Sequence, residues 1–258
     1  MDCVSDDGDA FIGYVASLRW RGLSLNYSSI LLHRNGTEVD VNTTLQESTI
    51  PQVKGASIEW SSSRLDVAGK WEATTQPIKR SLLELPAGKI EWHCLHPRAR
   101  AEICIGDGRR LEGLGYVEHL TMTIPPWRLP FDELRWGRFL SDEDSLVWIN
   151  WRGAHSLNLI FHNGVQVENA VLSEHGLDTE DTCLDLGDNL VLREGELIQT
   201  ALSSIPGIRK LFPFRILRTH ERKWLSRGAL KTSQVGSSTG WAIHEVVRWP
   251  EKSPQVGW

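Results

Sequence analysis

The chain lacks any uninterrupted apolar run approaching the roughly 18 to 20 residues that cross a bilayer as a helix. It also lacks a basic surplus: 28 Lys and Arg face 33 Asp and Glu, for a net charge of −5. Phosphate binding usually leaves a basic footprint, so nucleic acid is not an expected partner. Cysteine is sparse. Cys3, Cys94, Cys104 and Cys183 form no C-x-x-C pair, and their wide spacing predicts reduced thiols rather than a zinc site. No G-x-S-x-G elbow, no G-x-G-x-x-G turn and no phosphate loop occurs. These absences weaken hydrolase, dehydrogenase and kinase readings.

The opening Met1-Asp-Cys-Val-Ser-Asp-Asp-Gly-Asp9 is acidic and lacks the basic n-region and apolar core of a secretory signal. A cytoplasmic protein is expected. The triplets at Asn26, Asn35 and Asn42 are then chance matches to the glycosylation pattern.

What is present is strand. Runs such as Ala10–Val15, Leu25–His33, Gly69–Ala73, Lys89–His93 and Arg100–Ile105 are separated by turn signals, Asn35-Gly36 and Gly106-Asp-Gly108 among them. Further runs follow at Gly115–Met122, Arg135–Leu140, Ser145–Trp151, Leu157–His162 and Val165–Val171. Pro213–Thr219 leads into Glu221–Leu230, and Gly240–Trp249 closes the chain. Helix is nearly absent: Pro130–Leu134 could make one turn, and Glu194–Ser204 carries helix formers ended by Pro206-Gly207. The pattern predicts an all-β fold of antiparallel barrel or sandwich domains.

Pro125, Pro126 and Pro130 cannot occupy a central strand and mark a crossover. The expected organisation is two β domains, 1–125 and 126–258, which could be divergent copies of one barrel. Tryptophan is abundant, with twelve copies against three tyrosines and six phenylalanines. Most should fill cores, and a subset could line a ligand cavity.

Two segments concentrate reactive groups. Gly113-Leu-Gly-Tyr116-Val-Glu118-His119 and Leu134-Arg-Trp136-Gly-Arg138 bring together a carboxyl group, an imidazole, a phenol and an indole. In a strand Tyr116 and Glu118 share one face, with Val117 and His119 on the other. On the barrel interior, Tyr116 could position Glu118. An apolar pocket can keep such a carboxyl group protonated, able to protonate an electron-rich carbon. Trp136 and Arg138 also share a face, where the guanidinium can stack or hold a carboxylate. The cluster Glu91-Trp92-His93-Cys94-Leu95-His96 resembles a metal site only superficially, because alternation separates His93 from Cys94. No metal and no cofactor is expected. Trp148 and Trp151 complete the candidate lining, whereas His244 and Glu245 fall on opposite faces and do not form a catalytic pair.

These residues resemble the carotenoid 1,2-hydratase (hydroxyneurosporene synthase) family, of a lipocalin-like superfamily built from two β-barrel domains. The resemblance rests on Asp6-Asp-Gly with Phe11-Ile-Gly, on Trp92, Pro97–Glu102, Gly113–Glu118 and Trp136-Gly-Arg138. It covers most of residues 5 to 151. It implies a Tyr-x-acid pair at Tyr116 and Glu118, here Glu in place of Asp, and a tryptophan at Trp92. The family's histidine position carries Ile90, which leaves His93 and His119 as the nearby imidazoles. The implied activity is cofactor-independent lyase, cyclase or isomerase chemistry on a lipophilic isoprenoid or polyene. Glu118 would donate the proton, assisted by Tyr116 and His119. Trp92, His93, Trp136, Arg138, Trp148 and Trp151 would contact the substrate. Such a substrate is compatible with peripheral contact to a membrane. The alternative is a lipocalin-like carrier that binds a hydrophobic ligand without transforming it.

Overall fold

Strict in-and-out alternation builds most of the strands. In Val67–Ala73 the side chains of Val67 and Trp71 are buried while those of Ala68, Lys70 and Glu72 reach solvent. Such a segment can satisfy its apolar face only by joining a sheet over a core. A computed structural model describes residues 1–250 except 21, 48, 107, 206, 208–211, 234 and 235.

The first sheet contains β1 (Asp2–Val4), β2 (Ala10–Trp20), β3 (Leu23–His33), β4 (Asp40–Thr44), β5 (Gln52–Lys54), β6 (Ser57–Ser62), β7 (Val67–Ala73), β8 (Ile78–Leu85), β9 (Gly88–Ile105) and β10 (Arg109–Met122). Its order is β4-β3-β2-β1-β10-β9-β7-β6-β5, with β8 paired to β9. The second contains β11 (Glu133–Leu140), β12 (Ser145–Arg152), β13 (Leu157–His162), β14 (Val165–Gln166), β15 (Val171–Leu172), β16 (Gly176–Asp178), β17 (Thr182–Glu196), β18 (His220–Thr232) and β19 (Gly236–Arg248). Its order is β14-β13-β12-β11-β19-β18-β17-β16-β15. Apart from β8 the two orders are the same. In each sheet the opening strand lies between its successor and the final strand. This repeated topology is what divergent copies of one barrel would leave.

By packing, the chain divides into one unit of Met1–Arg80, Trp92–Leu120 and Leu140–Ser145, and a second of Ser81–Glu91, Thr121–Phe139 and the residues from Leu146 onward. In the first, Phe11, Ile58, Trp60, Trp71, Ile103 and Val117 form the core. Gly115 makes room for it: a Cβ there would stand 2.8 Å from the Trp71 ring. The Trp71 indole N–H donates to the Asp2 carbonyl at 2.7 Å, so this large ring is buried without an unmet donor. In the second unit the core gathers Phe139, Leu146, Trp148, Ile160, Leu184 and Leu230. There Gly137 provides the notch, since a Cβ would meet the Trp148 ring at 2.4 Å.

The turn chemistry follows the sequence. Asn163 and Gly164 have φ of 49° and 83°, the left-handed pair that a tight β13–β14 hairpin requires. Helix placement departs from expectation. Pro130–Leu134 forms no helical turn; the 3-10 turn lies earlier, at Pro126–Arg128, where Pro126 supplies the fixed φ of a first helical residue. At Glu194–Ser204, β17 continues to Glu196 and turns follow. The expected strand at Pro213–Thr219 is instead the short helix Phe214–Leu217, started by Pro213 and closed by the Thr219 hydroxyl donating to the Arg215 carbonyl at 2.9 Å. No helix among the described residues is long and apolar enough to cross a membrane.

Candidate active site

The β9–β10 hairpin has two chemically different faces. Val117 points into the core with Phe11, Trp71 and Ile103. Alternation sends Tyr116 and Glu118 to the opposite face, away from that core. The expected barrel-interior placement of this pair is therefore corrected: it occupies the other side of the sheet. On that side Glu118 Oε2 accepts two hydrogen bonds, from the Tyr116 hydroxyl at 2.7 Å and from the Trp92 indole N–H at 2.7 Å. Trp92 is fully buried and Tyr116 nearly so, while Glu118 is half-buried. The carboxyl group is thus gripped by two rigid aromatic side chains fixed in adjacent strands.

Cys94 lies two residues beyond Trp92 and is also fully buried. Burial pushes its thiol well above the ordinary range, and the Glu118 charge adds to the effect. Burial likewise raises the Tyr116 phenol, reinforced by Cys94 and Glu118. Tyr116 therefore stays protonated at neutral pH and acts as a donor to the carboxyl group. The Trp-x-Cys spacing puts the free thiol of Cys94 on the same strand face as Trp92.

The two histidines do not join this site. His93 is half-buried and His119 exposed, and both alternate to the face opposite Trp92 and Glu118. Neither replaces the histidine that the resemblance places at Ile90: His93, three residues further along β9, alternates to the other face, and His119 lies on β10 facing away from Glu118. Trp92 is also reassigned: with no exposed surface, it holds Glu118 and offers no free π face to a substrate.

The remaining candidates belong to the second unit. Trp136 is half-buried, and the buried Arg138 donates through Nη1 to the Trp241 carbonyl at 3.1 Å. Trp148 is core: it packs under Gly137, with its ring 6.3 Å from that of His244. Trp151 stacks on Phe131 at 4.4 Å. Three residues apart in a strand, Trp148 and Trp151 face opposite ways, so they do not line one surface.

A second polar constellation went unread in the sequence. His244 Nε2 lies 2.8 Å from Ser226 Oγ, which donates in turn to Asn189 Oδ1. The His244 ring stacks on Trp224 at 5.0 Å. Burial drives its pKa down to about 4, with Lys223 adding to the fall, so the ring is neutral at physiological pH. As expected, Glu245 is not its partner: it pairs with Lys223 on the other face. Among the described residues, no group of three or more His, Cys, Asp or Glu side chains could hold a metal ion.

No protein-family model and no curated protein matches the sequence. Solved structures do match in fold. Kievitone hydratase from Nectria haematococca superposes with a TM-score of 0.57 at 10% identity, covering 96% of this chain and 87% of that one. CghA superposes with a TM-score of 0.60 at 10% identity, covering 98% of this chain and 88% of its own. CghA is also known with Sch210972 bound, and that structure matches at a TM-score of 0.57, 10% identity and coverage of 98% and 88%. At such identity the likeness is one of fold. The chain has the two-domain, lipocalin-like all-β architecture that the hydratase resemblance implied.

Proposed function

We propose that the chain is a cofactor-independent enzyme of the hydratase or lyase type, in which Glu118 exchanges a proton with a carbon–carbon double bond. One observation carries the reading: two buried donors, Trp92 and Tyr116, converge on a single carboxyl oxygen. An exposed surface glutamate has no need of such a clamp. Both donors hold Oε2, which fixes the orientation of the carboxyl group as it passes a proton to the alkene and, in the reverse direction, takes it back. Trp92 and Tyr116 are positioning residues. They fix the orientation of the acid, and Tyr116 keeps its own proton because its phenol is held far above neutrality. A fold shared with kievitone hydratase supports the class. The proposed substrate is a lipophilic isoprenoid or polyene, with water addition, ring closure or proton loss as alternative fates of the cation.

The test is isotopic. The protein is incubated in deuterated water with a panel of isoprenoid alkenes, and carbon-bound deuterium is sought by mass spectrometry. The wild type incorporates label and a folded Glu118→Gln variant does not. Equal incorporation by both removes the acid assignment. A second reading, a carrier of a hydrophobic ligand, is favoured by one separate observation: a cavity of about 620 Å³ in the first unit, partly lined by apolar side chains.

A further inference from the structure

That cavity is built without acidic, lysine or arginine side chains. Among the described residues that line it there is no Asp, Glu, Lys or Arg. Its volume falls within the range of about 300 to 1,000 Å³ of small-molecule sites. Val53, Ile58, Pro77 and Leu95 give it apolar surface, with Ile58 fully buried and Val53, on β5, 63% exposed. The polar side chains of the wall are Thr74, Thr75, Gln76, His93 and His96. The two threonines are committed. Thr74 Oγ1 donates to the Arg98 carbonyl at 3.0 Å, and Thr75 Oγ1 accepts from the Arg98 amide at 3.1 Å. Gln76 is exposed and His93 half-buried. Burial first, then Lys79 and His119, lower the His93 pKa, so its ring is uncharged at neutral pH.

His96 stands apart, because it is 5% exposed. Its Nδ1 lies 2.7 Å from the Leu95 carbonyl oxygen. A carbonyl only accepts, so Nδ1 carries the proton and Nε2 of the neutral ring is an acceptor. That Nε2 is buried and has no hydrogen-bond partner among the described residues. An unmet buried acceptor is costly, and a donor brought by a ligand relieves the cost. The rest of the wall sets the ligand's other properties. An apolar body is covered by Ile58, Pro77 and Leu95, whereas a charged head would lose its water and find no counter-charge in the wall.

On the carrier reading of this cavity, whose described lining does not include Trp92, Tyr116 or Glu118, we propose that it binds a neutral monohydroxylated lipophile, with the ligand's hydroxyl group donating to His96 Nε2.

Isothermal titration of the full chain at pH 8 with decan-1-ol tests it. The comparators are the isomeric methyl nonyl ether, which accepts but cannot donate, and the charged decanoate and decylammonium. Decanol binds with one-to-one stoichiometry. The ether binds about five- to tenfold more weakly, and each charged amphiphile about tenfold more weakly or less. His96→Phe keeps a ring and removes the acceptor, so decanol falls to the affinity of the ether while the ether is unchanged. Val53→Asp, at an exposed position where folding is not at risk, weakens decanol and the ether together and keeps the test decisive if the first variant does not fold. Glu118→Gln leaves decanol affinity intact. Equal affinity of alcohol and ether, a charged amphiphile as tight as decanol, a folded His96→Phe that still prefers the alcohol, or indifference to Val53→Asp overturns the proposal and leaves the carrier reading standing. Absence of binding by all four compounds removes both. Loss of decanol binding in Glu118→Gln also overturns the proposal, because the alcohol would then occupy the clamp; that result leaves the enzyme reading standing.

Discussion

Trp92 Nε1 donates to Glu118 Oε2 at 2.7 Å, joining two strands of the hairpin through a buried indole and a half-buried carboxyl group. Replacing Trp92 with Phe removes the donor and part of a fully buried ring. The expected cost in unfolding free energy is about 1 to 3 kcal/mol, read from urea denaturation. If the clamp serves proton transfer, deuterium incorporation falls more than this stability loss explains, in a protein still folded at the assay temperature. Tyr116→Phe has the smaller stability cost and the same effect on incorporation.

His244 sets a pH dependence. Its folded pKa of about 4 lies below the ordinary 6.5, so the unfolded chain binds the proton more readily. Stability from this group is fully present above pH 6.5, declines as the pH falls below that, and is lost by about pH 4. The magnitude is about 3 kcal/mol. Urea midpoints measured from pH 7.5 to 4 should fall steeply in the wild type. In His244→Phe, which cannot take up a proton, the fall is shallower by this amount; identical profiles would sink the assignment.

Gly115 is a packing requirement. An added Cβ would sit 2.6 Å from the Asp2 carbonyl oxygen and 2.8 Å from the Trp71 ring. Gly115→Ala should destabilise by about 1 to 3 kcal/mol. Thermal melting monitored by tryptophan fluorescence reports both the lower midpoint and the disturbance at Trp71.

Glu221 and Arg193 form a buried ion pair, with contacts of 2.7 and 3.0 Å, and the Thr200 hydroxyl donates to the same carboxylate. Glu221→Leu strands the guanidinium and should cost about 3 to 5 kcal/mol. The double change Glu221→Leu with Arg193→Leu recovers most of the loss in the same denaturation assay, because no charge is then left without its partner.

The fold was legible because period-two alternation and turn residues act locally. Gly69–Ala73, which lies within β7, and the Asn35-Gly36 turn between β3 and β4 each declare themselves within a few residues. The pairing of Tyr116 with Glu118 was legible for the same reason, as two positions of one strand. The side of the sheet they occupy was not. That depends on which face of β10 meets Phe11 and Trp71, residues about a hundred or fewer positions distant in either case, and alternation alone cannot name the buried side. The grip of Trp92 on Glu118 and the Ser226–His244 contact were hidden too, because register between separated strands is set by long-range packing. Pro213–Thr219 misled because its alternating apolar residues outweighed the helix-starting proline.

The repeated sheet order has a bearing on how the chain comes off the ribosome. β1 pairs with β2 and β10, matching Asp2 with Tyr116. β11 likewise neighbours β19. Each sheet's earliest-made strand must wait for its latest-made one before both of its edges are satisfied. Nascent halves therefore emerge with an open seam, whose closure is a contact between the two ends of each half and so belongs to the slow, non-local class of folding steps.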